Sequence, residues 1–274
     1  MVDGGATAGP ADDGAVRVEI RDRIAIVTLD RGDGRNPMSY AVIRRLTEVA
    51  LELAENERLS AIVLTGTAKA FSVGFDLKDP LRAELATAGA GRRLAAAKLG
   101  QKLCHAWAVL EPLTIVAVEG HCIGGGTALA VACDLIVAGQ GARFLVPEID
   151  RGMNMSWQSV PRITNLVGPA RAKRICILAE PVDAHTGADW GLVQYLAPTG
   201  GALQKALEVA AVAAAKPPIP VRMIKRGVEA YASALVQATS QMDADQFALA
   251  TMSDDYREGV ESFLEKRPPN YTGE

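Results

Sequence analysis

The sequence predicts an α/β fold in which short buried strands alternate with helices and a helical C-terminal third follows. Three observations carry that expectation. Residues 61–65, 114–118 and 135–138 are short and almost wholly apolar, as strands covered on both faces are. The first two run into glycine-bearing loops at Gly66 and Gly120, and open α/β sheets gather ligands beyond such strand ends. From residue 202 onward the chain reads as one helix after another, broken by Pro217-Pro218 and by polar turns.

Taken in order, apolar residues alternate at Val16, Val18 and Ile20, stop at Arg21-Asp22-Arg23 and resume at Ile24 and Ile26, which predicts a hairpin. Ser39 is an N-cap candidate, and Val42, Leu46, Val49 and Leu53 after it recur at helical spacing. Residues 66–80 read as irregular. An Ala- and Arg-rich stretch then leads into a helix ending near Pro112, with residues 88–91 expected to form a mobile flap. Gly124-Gly125-Gly126 opens a helix expected over 127–132. Pro169 starts another helix, Asp183 caps a short one that Gly191 ends, and residues 192–196 read as a strand. Further helices begin near Ala202, Ile219, Ala238 and Ser253. The expected division is a flexible tail over residues 1–15, a core over 16–200 and a helical appendage over 201–274.

A chain of 274 residues that is 49% hydrophobic can bury a large core. Its formal charge of -3 gives no electrostatic reason to expect nucleic acid or an anionic membrane as partner. The N-terminus lacks a basic region followed by an apolar one, and charges or glycines interrupt every apolar stretch, so a cytoplasmic protein is expected. Cys104, Cys122, Cys133 and Cys176 lack zinc-site spacing and read as buried thiols, and no metal is expected.

The triple glycine admits two readings. Glycines at a strand-to-helix turn let a backbone approach closely, and the first N–H groups of a helix have no internal partners. Such donors stabilise the charge that gathers on a thioester oxygen when a proton leaves the neighbouring carbon. Alternatively the glycines serve only to pack helix on sheet.

In combination the motifs are more specific. Asp76 after Gly74-Phe75, the string HCIGGGTALAVACDLIVA over residues 121–138, FLVPE over 144–148 and the ending EGVESFLEKRPPNY resemble the crotonase superfamily, the enoyl-CoA hydratase/isomerase family, from Val16 to Tyr271. That resemblance implies a ClpP/crotonase-like spiral of ββα units with a C-terminal helical trimerisation region. It also implies a homotrimer or hexamer, an acyl-CoA substrate, and no cofactor beyond the coenzyme A that the substrate carries. The oxyanion donors it implies are the N–H groups of Phe75 and Gly125, and the coenzyme A contacts are Lys78 with Phe263 and Lys266, the latter pair reaching a neighbouring subunit.

One departure from the pattern matters most. Hydratases of the family carry two acidic residues, and here only the second is present, as Glu148, while the first position is Ala128. Syn addition of water is easiest with two carboxylates; a 1,3-proton shift needs one. Glu148 is therefore expected to be a lone general base favouring double-bond isomerisation, with hydration in β-oxidation and non-catalytic acyl-CoA binding as alternatives. Dienoyl-CoA isomerases and the dehalogenase branch put acids where Ser156 stands, so both lose support. Asp150 would share a face with Glu148 in an extended segment, but a structural rather than a catalytic role is expected of it. Ala128, Ser156 and Trp157 are the acyl-pocket candidates, although Trp157 and its neighbouring methionines equally suit a core. His121 is expected to be a packed histidine.

Overall fold

The computed structural model describes residues 14–274, so the tail expected over residues 1–15 lies outside the description except at its end. There Ala15 is buried, and its C=O accepts the Asp30 N–H at 2.7 Å, which makes it part of the fold. The hairpin forms as expected from β1 (Val16–Arg21) and β2 (Ile24–Leu29), with Asp22 turning between them at φ 53°. Ser39 Oγ accepts the Val42 N–H and caps α1 (Tyr40–Ala54), whose Val42, Leu46, Val49 and Leu53 are all buried.

Next come β3 (Ala61–Thr65), β4 (Ala70–Ser72), α2 (Pro80–Ala86) and α3 (Ala90–Ala108). Residues 88–91, expected to be a flap, form the turn between two helices: Gly89 is the N-cap of α3, and Ala90 and Gly91 lie in its first turn. After these follow β5 (Leu113–Val118), β6 (His121–Ile123), α4 (Gly125–Ala130), β7 (Leu135–Gly139) and β8 (Arg143–Leu145). The helix expected at 127–132 thus begins on the second glycine of the triplet.

Six strands form one sheet in the order β1-β2-β3-β5-β7 and then β10 (Tyr195–Ala197). Every neighbour beyond the hairpin is parallel. Because side chains alternate across a strand, each apolar run feeds two cores. Ile62, Leu64, Val116, Val118 and Ile136 join the larger one with α1 and α3. Ala61, Val63, Ile115, Ala117 and Val137 meet Ala202, Ala206, Ala210 and Ala213 of α8 (Ala202–Ala214) on the other face. Alanine at every third or fourth position lets that helix lie close on the sheet. The C-terminal region is therefore no appendage: its first helix covers one side of the sheet.

Irregular as the sequence looked there, β4, β6, β8 and β9 (Val182–Asp183) make a second, four-stranded sheet. Strands of two or three residues are too short to display any alternation. In succession, β3 with β4, β5 with β6, and β7 with β8 each give their first strand to the large sheet and their second to the small one. β4, β6 and β8 are parallel neighbours, so their C-terminal ends lie side by side.

The remaining helices are α5 (Ser159–Val167), α6 (Pro169–Ile177), α7 (Ala184–Trp190), α9 (Pro218–Ala232), α10 (Val236–Ser240), α11 (Asp243–Ala250) and α12 (Asp254–Glu265). Asp183 and Gly191 cap α7 as expected. The strand expected over 192–196 starts later, because the Val193 N–H closes back onto Gly187 C=O at 3.0 Å. No helix among the described residues is long and apolar enough to cross a membrane.

Candidate active site

Phe75, Gly125 and Glu148 each follow directly on one of the side-by-side strands, after β4, β6 and β8 respectively. Consecutive ββα units thus deliver three functional groups to one place. The first loop is fixed by Asn36, whose buried Nδ2 donates to the carbonyls of Leu29, Ala70 and Phe71, and by Ser72, whose Oγ donates to Asn36 C=O and accepts the Gly74 N–H. The Met38 N–H then donates to Gly74 C=O at 2.7 Å, and the Asp76 N–H to Met38 C=O at 3.0 Å. Pairing of that kind turns the N–H of the intervening Phe75 away from Met38.

The glycine loop crosses this segment in contact. A methyl carbon placed on Gly74 would lie 3.2 Å from Gly125 N and 2.7 Å from Ile123 O. Gly124 adopts φ 54° and ψ -119°, a conformation closed to side chains, and its own N–H donates to Leu145 C=O at 2.8 Å. Among the described residues the N–H groups of Phe75 and Gly125 have no protein acceptor. They form a donor pair suited to an oxyanion.

The three glycines make room for different neighbours. A Cβ on Gly124 would fall 2.5 Å from Glu148 Oε1, on Gly125 2.7 Å from the Trp157 indole, and on Gly126 2.7 Å from Ser72 O. The first two spaces serve the site and the third serves packing.

Glu148 begins a 3-10 turn, Ile149–Arg151, and its C=O accepts the N–H groups of Arg151 and Met153. Although the residue as a whole is partly exposed, its carboxylate end is enclosed, and Oε2 is buried with no protein hydrogen-bond partner. Burial raises its pKa to about 7, opposed by a backbone hydrogen bond and by the nearby Arg151 charge. The 3-10 turn also corrects the expectation for Asp150, which is exposed and does not share a face with Glu148. Arg151 donates to Pro147 C=O at 2.7 Å and lies 4.1 Å over the Phe263 ring. Beneath it α12 docks backbone to backbone: a Cβ on Gly259 would sit 2.5 Å from Arg151 C.

Phe75, Lys78, Gly125, Glu148, Ser156 and Trp157 all line one cavity of about 1110 Å³. Its opposite wall comes from α2, α3, α11 and the start of α12. Trp157 and Gln158 both hold φ 59°, unusual for such side chains, and the Gln158 N–H donates to Asp243 Oδ2 at 2.8 Å. The strained pair drives the indole between two glycines, for a Cβ on Gly100 would lie 1.8 Å from Trp157 Cε2. That glycine, in the middle of α3, was the available signal for the aromatic wedge.

Ala128, expected in the acyl pocket, is wholly buried and absent from the cavity wall; beside Gly125 the wall is the Trp157 indole. Phe263 and Lys266 also lie outside the lining, with Phe263 stacked on its own chain's Arg151 and Lys266 capping α12. His121 is exposed on β6 rather than packed, and it does not reach the cavity. Sequence reading gave no role to Tyr40, Arg82, Asn154 or Tyr256, which line the cavity as well. Asn154 Oδ1, like Glu148 Oε2, is buried and unpartnered.

A family model described as enoyl-CoA hydratase/isomerase matches residues 19–274. The chain belongs to the enoyl-CoA hydratase/isomerase family, and its fold is of the crotonase type. It is 29% identical over 259 residues to the 2,3-dehydroadipyl-CoA hydratase of Escherichia coli K12, covering 93% of this chain and 98% of that protein. To the mevalonyl-coenzyme A hydratase of Beauveria bassiana it is 32% identical over 262 residues, with 90% of each covered. The crystal structure of carnitinyl-CoA hydratase from Mycobacterium avium superposes with a TM-score of 0.84 at 29% identity, covering 95% of this chain and 99% of that one. Three relatives with three acyl groups indicate an enzyme class without fixing a substrate.

Proposed function

We propose that this enzyme shifts the double bond of a 3-enoyl-CoA thioester into conjugation, with Glu148 as the only acid–base group. The observation that carries the reading is the Glu148 carboxylate, whose Oε2 is buried and unpartnered in the cavity that Phe75 and Gly125 also line; Asp79, another acid of that lining, is taken up by the N–H groups of Tyr40 and Leu81, and Ala128 stands where a second acid is expected. Glu148 takes a proton from C2, and the bonding electrons move onto the thioester oxygen between the two N–H groups. The carboxylic acid so formed then gives its proton to C4 as the enolate collapses, which leaves the double bond between C2 and C3. A carboxyl with a pKa raised to about 7 suits both halves, because it is basic enough to accept the proton and acidic enough to return it.

Hydration is the second reading, and Asn154 favours it. It adds a second buried, unpartnered acceptor, Asn154 Oδ1, to the cavity that holds Glu148 Oε2, and a water donating to either would satisfy it. The test supplies a 3-enoyl and a 2-enoyl thioester separately and follows the conjugated chromophore. Isomerisation makes it appear from the first substrate; its loss from the second, with no gain from the first, would establish hydration instead. Tight acyl-CoA binding without turnover of either would indicate a binding protein.

The coenzyme A contacts at Lys78, Phe263 and Lys266 and the homotrimer or hexamer belong to the same proposal, and no cofactor enters it. Phe263 is half exposed, and α9 presents Ile219, Met223, Ile224 and Val228 to solvent, a stripe suited to a subunit contact.

A further inference from the structure

Cations are unevenly placed around the cavity. Lys78 and Arg93 are exposed, and Arg257 pairs with Asp254. Arg82 differs, since it is half-buried and forms no ion pair among the described residues. Its Nη2 donates to Tyr256 Oη at 3.0 Å, and Nη1 makes only a long contact of 3.4 Å with Leu77 C=O. The two acids beside it in sequence are engaged elsewhere: Glu84 lies 3.9 Å from Arg92, and Asp79 accepts the Tyr40 N–H at 2.7 Å and the Leu81 N–H at 2.9 Å. A guanidinium has five N–H donors in a fork that matches a carboxylate or a phosphate, and here most of them are unused.

The surrounding frame is rigid. Ser253 caps α12 through the Tyr256 N–H, which fixes the tyrosine in the first helical turn. Tyr40 packs edge-on against Phe75 with ring centroids 5.0 Å apart. Its N–H donates to Asp79 Oδ2, and Tyr40, Asp79, Arg82 and Tyr256 all line the cavity. Arg82 and Tyr256 thus line the same cavity as Phe75, Gly125 and Glu148.

We propose that Arg82 and Tyr256 form an anion subsite inside the substrate cavity, and that its ligand is a carboxylate at the distal end of the acyl group. The substrate would be the monothioester of a dicarboxylic acid. This rests on the acyl-CoA reading but not on which reaction Glu148 performs.

Binding tests it without turnover. Succinyl-, adipoyl- and suberoyl-CoA are compared by calorimetry with butyryl-, hexanoyl- and octanoyl-CoA, saturated thioesters with no double bond to move. At one chain length or more the carboxylate should bind roughly 10- to 100-fold tighter, as a charge-assisted pair with a half-buried guanidinium allows. Arg82→Met should erase that preference, and Tyr256→Phe should reduce it in the fully folded protein. Equal affinity within all three pairs in the wild type would overturn the proposal. So would an Arg82→Met variant that loses the same factor on both series, because the cation would then serve the phosphates of coenzyme A. If Arg82→Met does not fold, the wild-type ratios and Tyr256→Phe still decide. A preference without turnover of any enoyl thioester would sink the isomerase reading and leave the subsite standing.

Discussion

The two walls of the cavity are built on different principles. One consists of backbone: the 74–76 segment, the glycine loop and the Glu148 turn are locked together by main-chain hydrogen bonds and by contacts too close for a Cβ. The other consists of side chains from α2, α3, α11 and α12, among them alanine, leucine, phenylalanine, arginine and tyrosine. Chemistry needs positions held within fractions of an ångström, and strand ends can hold them. Selectivity needs only a shape and a few polar groups, which helices can vary without disturbing the first wall. Substitutions on the backbone wall should therefore destroy turnover, while those on the helical wall should redirect it.

Gly124→Ala should damage the backbone wall severely, since the new methyl must displace Glu148 Oε1 from 2.5 Å and occupy φ 54°. A loss of about 10³-fold in kcat is expected, read with a 3-enoyl thioester. Trp157→Ala leaves the donors in place and opens the space between Gly100 and Gly125. It should cost about 3 kcal/mol by denaturant midpoint and shift preference toward bulkier acyl groups, with kcat changing less than selectivity.

Titration separates the walls further. Because burial raises the carboxyl of Glu148 above its unfolded value of 4.5 to about 7, the native state binds the proton more tightly than the unfolded chain. Stability should fall as pH rises from about 4.5 to about 7, by up to about 3 kcal/mol relative to Glu148→Gln, which has no proton to lose. Activity has the opposite slope, as the base must be ionised, so kcat/KM should climb through a limb near pH 7. The smallest effect belongs to Asp150→Asn. An exposed acid turned from the site should change kcat by less than about twofold.

The backbone wall was largely legible in the sequence, because its devices are residue types with few substitutes. Gly74-Phe75, the triple glycine and Pro147-Glu148 mark the three loops that meet at the cavity. Short, almost wholly apolar runs likewise marked the central strands of the large sheet. The small sheet was not legible, since strands as short as β4 and β9 carry no periodicity. Asp150 was misplaced because the sequence does not distinguish an extended segment from the 3-10 turn that follows Glu148. The helical wall was hidden for another reason. Tyr40, Arg82 and Tyr256 are ordinary surface-helix residues one by one, and only tertiary packing gathers them from α1, α2 and α12 around a single cavity.

Glu148→Gln tests the central claim most directly, because it keeps the shape of the side chain and removes the base. With a 3-enoyl thioester, kcat should fall by about 10³-fold or more while the circular dichroism spectrum and acyl-CoA affinity are retained. Turnover within about tenfold of wild type would mean that another group moves the proton and that Glu148 is not the base.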